Sequence, residues 1–249
     1  MTCPTNCSSP TTGYSYLYTA NWELRYRTGW SGIYGSHGNS PDTQDFNSSF
    51  HSRLGSAMWI IDHYASNDGH GNIKWIGNVG ARVCKTGCHS SGSALDITAL
   101  KFANTSFDMN VSWRSNQTLA QRRGYLAIWA GLRVYCKTVL TNAYNSAHQN
   151  HIHVDNDANN LTPPALRTNS TTDTKLIQTS CNLLNGTQLT VDGNWGLLTT
   201  QAYNNLLDDL GLTCTSPTTN YWHAKTLLLL IVRHGFASEN AGHYTYPYC

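Results

Sequence analysis

Cys88-His89-Ser90-Ser91-Gly92-Ser93-Ala94-Leu95-Asp96-Ile97 and, about fifty residues on, His148-Gln149-Asn150-His151-Ile152-His153-Val154-Asp155 are the stretches that decide this chain's fold and chemistry. In the second, side chains alternate across an extended strand, so His151, His153 and Asp155 share one face while Ile152 and Val154 take the other, toward the core. In the first, His89 and Asp96 lie seven residues apart, and a straight strand would separate them by roughly 23 Å at about 3.3 Å per residue. The chain must therefore fold back between them. Ser90, Ser91, Gly92 and Ser93 are turn formers, with Gly92 free to take positive φ. Ala94 to Ile97 then reads as a short strand with Asp96 facing away from Leu95 and Ile97. Neutral imidazole and carboxylate are the ligands zinc takes in open hydrolytic sites, where three protein groups leave a fourth position for water.

These residues resemble a known family. Cys88 to Asp96 matches the HxxGxAxD form of the LAS zinc metallopeptidases, the D-Ala-D-Ala carboxypeptidase type. Ala143-Tyr144-Asn145-Ser146-Ala147-His148-Gln149-Asn150-His151-Ile152-His153-Val154-Asp155 resembles the YNxAHxxHxHxD run of their extensin-like C-terminal branch. The resemblance implies zinc held by His89, Asp96 and His153. It implies further that His151 is the general base that stabilises the tetrahedral intermediate, with His148 assisting. The residues themselves suit that role, since His151 lies two positions from a ligand on the same strand face and imidazole titrates near neutral pH. Asp155 either orients an imidazole or ends the strand in solvent. The family's aromatic-Asn-Cys-Arg sequence corresponds to Arg82-Val83-Cys84-Lys85, with lysine in place of arginine. Lys85 can hold a substrate carboxylate as a point charge without bidentate geometry, and Arg82 is the alternative anion holder.

The remaining histidines, His37, His51, His63, His70, His223, His234 and His243, have no partner at motif spacing and read as packed or surface groups. Charged residues make up only 12 % of the 249, and the net charge of +2 is spread without basic blocks, which argues against nucleic-acid binding. Eight cysteines and Asn-x-Ser/Thr sequons at Asn47, Asn104, Asn110, Asn116, Asn160, Asn169 and Asn185 point to a secreted, disulfide-bonded glycoprotein. Cys84 and Cys88 read as structural cystines, because thiolates would overfill an open His/Asp/His site. Cys181, Cys214 and Cys249 are expected to bond mostly within the C-terminal part. Met1-Thr2-Cys3-Pro4 lacks a charged and an apolar region, so a signal peptide already removed is expected. Leu227 to Val232 is too short to span a bilayer, and a soluble monomer is expected.

Along the chain, residues 1–13 read as a Cys/Ser/Thr/Pro-rich leader and 14–160 as the zinc-binding catalytic domain. Apolar spacing predicts helices over Phe50–Tyr64 and Leu119–Tyr135, the latter with Leu126, Trp129, Ala130 and Val134 inward, and a strand over Lys74–Val79. The fold class expected is α+β: a small antiparallel sheet with helices on one face, followed by a small all-α three-helix domain. Polar residues and Pro163-Pro164 mark 161–173 as a linker. Beyond it, Asp192-Gly193-Asn194-Trp195-Gly196-Leu197-Leu198-Thr199-Thr200-Gln201-Ala202 resembles the DGxxGxxTxxA signature of peptidoglycan-binding-like helical domains, assigned to 174–249. A third helix is expected over Ala224–His234. The function expected is zinc-dependent cleavage of amide bonds in peptidoglycan peptides. Two alternatives stand beside it: a non-catalytic cell-wall or polysaccharide binder with structural zinc, and a glycan-cleaving hydrolase using carboxylates from Asp155, Asp62, Glu23 or Asp45.

Overall fold

The computed structural model describes residues 11–17, 22–28, 36–82, 87–156, 165–212 and 216–237. Strands β1 (Thr12–Tyr14), β2 (Tyr16–Leu17), β3 (Trp22–Tyr26) and β4 (Gln44–Phe46) come first. The expected leader therefore ends earlier than residue 13, since β1 pairs with β4. Helix α1 (Ser48–Asn67) starts where Asn47 accepts from the Ser49 and Phe50 amides. One of the Asn-x-Ser sequons is thus also a helix cap. Phe50, Leu54, Ala57, Met58 and Ile61 form the buried stripe of α1.

After β5 (Ile73–Asn78) the chain runs through a short 3₁₀ turn, Cys88–Ser91, into β6 (Ala94–Phe102) and β7 (Ser106–Asp108). Helix α2 (Leu119–Tyr135) is capped by Thr118, and its bounds are those the sequence predicts. Then follow β8 (Thr138–Leu140), the 3₁₀ turn Ser146–His148, β9 (Ile152–Asp155), and helices α3 (Thr171–Leu184), α4 (Leu197–Asp209) and α5 (Tyr221–Phe236).

The architecture is α+β, as the sequence indicates, but the main sheet is mixed. Its order is β2-β3-β5-β6-β9-β8, with β7 beside β6. All pairs are antiparallel except β3 with β5. The parallel pair arises because α1 carries the chain back across the sheet between those strands, the crossover that parallel neighbours require.

Strand β6 is longer than the four residues read from sequence, and it is not regular. Leu95, Ile97, Leu100 and Phe102 are all fully buried in the core, yet strict alternation would put the first and second pair on opposite faces. The register shift between Gly77 and Asn78 on β5, paired to Ala99 and Ile97, resolves this. Thr98 is the extra residue of a β-bulge, which resets the phase of the strand. Asp96 is left on the face opposite the helical core, where Thr98 also lies.

The C-terminal helices share the hydrophobic core of the sheet layer. Leu227, Ile231, Val232 and Phe236 of α5 join Leu126, Ala127 and Ala130 of α2 in one contiguous cluster. The stretch expected as a linker is built in from residue 165 onward: Leu166 is buried and Ser170 caps α3. Asp173 takes a two-pronged hydrogen bond from Arg133 of α2, at 2.8 and 3.1 Å. Polarity misled there, because Asp173 is polar but sits inside, ion-paired. Residues 157–164, including Pro163-Pro164, lie outside the described residues.

Cys88 is disulfide-bonded, in keeping with a structural cystine. Cys181 is buried and free, as is Cys136, which corrects the expectation that Cys181 bonds within the C-terminal part. It faces the helical core, away from any partner among the described residues. No helix among the described residues is long and apolar enough to cross a membrane.

Candidate metal centre

The turn before β6 and the pairing of β6 with β9 bring the first motif onto the second. Gly92 ends the 3₁₀ turn at φ 65°, a left-handed conformation that costs glycine little, and this folds His89 back over the start of β6. In the β6–β9 register Asp96 and His153 are direct cross-strand partners. Three ligand-type atoms then converge. His89 Nε2 lies 3.2 Å from Asp96 Oδ1 and 3.2 Å from His153 Nδ1, and His153 Nδ1 lies 2.8 Å from Asp96 Oδ1.

Outer partners decide which nitrogens face this point. His89 Nδ1 is 2.9 Å from the Ala81 carbonyl, so it carries the proton and donates it there, leaving the Nε2 lone pair inward. His153 Nε2 is 3.0 Å from Asp155 Oδ2 and donates to that carboxylate, leaving Nδ1 inward. With those tautomers two imidazole lone pairs and a carboxylate oxygen meet in a buried place, a cluster that a shared proton or a metal cation satisfies. A tetrahedral ion with ligands at about 2.1 Å spaces them roughly 3.4 Å apart, close to the distances found, so the donor set fits zinc in type, number and spacing.

Burial alone would raise Asp96, but contact with the His153 and His89 imidazoles, which donate inward when they carry a second proton, holds its carboxyl well below the usual range. His153 shows the converse: burial would lower it, and Asp155 with Asp96 outweigh that and hold it at about 9, so at pH 7 its inward Nδ1 carries a proton that a bound metal ion displaces.

His151 is buried beside the cluster, with Nε2 3.7 Å from Asp96 Oδ1. Its Nδ1 donates to Asn150 Oδ1 at 2.6 Å, which makes Nε2 the basic nitrogen. Burial, reinforced by His148 and His153 against the pull of Asp96, lowers it to about 4, so it is neutral at pH 7. His148 packs 5.1 Å from the His151 ring and 6.0 Å from the His153 ring, while Asn145 holds its Nδ1 at 2.7 Å. Tyr144, exposed, meets the His148 ring edge-on at 5.8 Å.

Asp155 orients an imidazole and does not merely end the strand. Arg82 is turned toward the N-terminal strands, donating to Thr11 Oγ1 at 2.6 Å and lying 3.9 Å from Asp45. Lys85 lies outside the described residues. Among the carboxylates considered for glycan cleavage, Glu23 is clamped by Arg25 at 2.6 Å and Asp62 accepts from Asn72 and the Ile73 amide. Asp155 is bonded to His153 at 3.0 Å, and Asp45 lies 3.9 Å from Arg82.

His37, read from the sequence as a packed or surface group, is packed beside the cluster. It donates to or accepts from Thr98 Oγ1 at 3.0 Å, two residues from Asp96 on the same outward face. Its distance along the chain from both motifs hid it, since only the β3–β5–β6 pairing brings it there.

Residues 61–163 match the family described as "Extensin-like protein C-terminus". That stretch is extensin-like and contains all six residues His89, Asp96, His148, His151, His153 and Asp155, whereas β1 to β4 and α3 to α5 lie outside it. No curated protein and no solved structure matches the chain.

Proposed function

We propose that the protein is a secreted zinc-dependent hydrolase that cleaves amide bonds in bacterial cell-wall peptides, with α3 to α5 as a peptidoglycan-binding-like helical part built onto the same core. The observation that carries this reading is the convergence of His89 Nε2, Asp96 Oδ1 and His153 Nδ1, each turned inward, around a point with a neutral imidazole beside it.

Zinc held there would lower the pKa of its water to about 7 and polarise the scissile carbonyl. Asp155 and the Ala81 carbonyl fix the ring orientations and tautomers of His153 and His89. His151 Nε2, neutral and beside Asp96, accepts the proton of the attacking water and returns it to the leaving amine. Asn150 holds the other face of that imidazole, and His148 packs against it. Arg82 and Lys85 remain the candidates for holding a substrate carboxylate.

The test is metal content and amine release from purified muropeptides. His153→Ala should lose zinc and turnover together. His151→Ala should keep zinc and lose at least a hundredfold in turnover, in line with general acid–base contributions of about 10²–10⁴. Turnover that survives both substitutions, or that survives a chelator, would sink the proposal. Retention on insoluble peptidoglycan without new amines would instead favour a non-catalytic binder.

A further inference from the structure

Residues 36–42 lay a second polar surface against the face of the sheet that carries the metal centre. Their backbone is fastened to β3: Gly38 N donates to the Tyr26 carbonyl at 3.0 Å and Asp42 N to the Leu24 carbonyl at 2.7 Å, and His37 bridges to Arg27. Arg27 is itself clamped to Asp108 at 3.0 and 3.3 Å. His37 lies 4.8 Å from the Trp75 ring and covers Gly77, where a Cβ would come within 2.2 Å of Nε2. The imidazole therefore rests on bare backbone, held by Thr98.

Between this segment and β3 is a cavity of about 360 Å³, bounded by Tyr26, His37, Asn39, Ser40 and Asp42 among others. Thr98, under His37, is two residues from Asp96, or about 7 Å along the strand, and both face the same way. The cavity thus lies on the same side of the sheet as Asp96, with His37 and Thr98 between the two.

Its chemistry is neutral and hydroxyl-seeking. Tyr26 contributes a ring 41 % exposed, suited to stacking on an apolar sugar face. Asn39, Ser40 and the His37 imidazole offer hydrogen bonds. Asp42 accepts from Gln44 at 2.6 Å, and among the described residues no lysine or arginine lines the cavity, so an anionic ligand would meet no direct ionic contact there. None of these five residues falls in the extensin-like stretch 61–163.

We propose that this cavity is a binding subsite for a neutral sugar ring of the substrate, which places a glycan unit on the same face of the sheet as the metal centre. The word substrate rests on the hydrolase reading above; sugar binding does not. The experiment is therefore a titration of His153→Ala protein, which does not turn over, with tri-N-acetylchitotriose, followed by tryptophan and tyrosine fluorescence, with dialanine as comparator. Saturable binding of the trisaccharide and none of dialanine is expected. Tyr26→Ala should weaken it at least tenfold, Asn39→Ala a few-fold, and Tyr26→Trp, which keeps an aromatic face, should restore it, with melting temperatures recorded for each variant. No saturable signal in the parent protein, or equal affinity after Asn39→Ala and Tyr26→Ala, overturns the subsite. A failure to release amines from muropeptides leaves the sugar result intact and counts against the hydrolase reading alone.

Discussion

At the scale of single residues, the candidate metal centre is organised from outside inward. Asp155 never touches the convergence point, yet it decides which His153 nitrogen does. Asp155→Asn keeps the shape and weakens the acceptor, so zinc affinity should fall about 10–100-fold, measured by competition with a chromophoric chelator, while the fold is retained. His37 offers a pH prediction. Burial, then the Arg27 charge, with Arg25 adding and Asp108 opposing, hold it at about 4 against an ordinary 6.5. Between these values the unfolded chain binds the extra proton, so the stability His37 contributes is full above about pH 6.5 and is lost as pH falls toward 4. Chelator-treated wild type should melt lower at pH 5 than at pH 7, and the gap should narrow in His37→Gln. A gap untouched by that substitution would exclude His37 as its source. Local alternation made the strand residues His151, His153 and Asp155 legible in the sequence. His37 was not legible, because its neighbours Gly77 and Thr98 are set by strand pairing far along the chain.

At the scale of elements, the bulge at Thr98 lets one strand serve two purposes. Before it, β6 points Asp96 outward; after it, Leu100 and Phe102 are returned to the core. Gly77 is the matching concession on β5, and Gly77→Ala would drive its methyl into the His37 ring. A loss of about 1–3 kcal/mol is expected from such overpacking, read by urea unfolding, together with weaker sugar binding. Periodicity alone locates α1 and α2 well, since their buried stripes follow helical spacing and Asn47 and Thr118 stand at the caps. It cannot show a bulge, which exists only relative to a partner strand. Nor could it show that the polar run before α3 is partly interior. There Arg133 and Asp173, with side chains 3 % and 2 % exposed, join α2 to α3. Asp173→Ala leaves a buried guanidinium uncompensated and should cost about 3–5 kcal/mol in chemical denaturation.

At the scale of the whole molecule, α5 lies along α2 in the same core that backs the sheet. Calorimetry should accordingly show one unfolding transition, and a chain stopped before α3 should expose the α2 face and aggregate. Two separated transitions would show instead that the helices fold alone. The α+β class was readable from the order of patterns, whereas the shared core was not, because no local signal says which outer face of α2 a later helix will cover.

Cys136 and Cys181 have a bearing on how the chain comes to its native state. Both are fully buried, and burial pushes both thiols up to about 12, so neither forms a thiolate once the core has closed. Elsewhere the same chain oxidises Cys88. Under oxidising conditions these two sulfurs are therefore open to disulfide exchange only while the helical core is not closed over them.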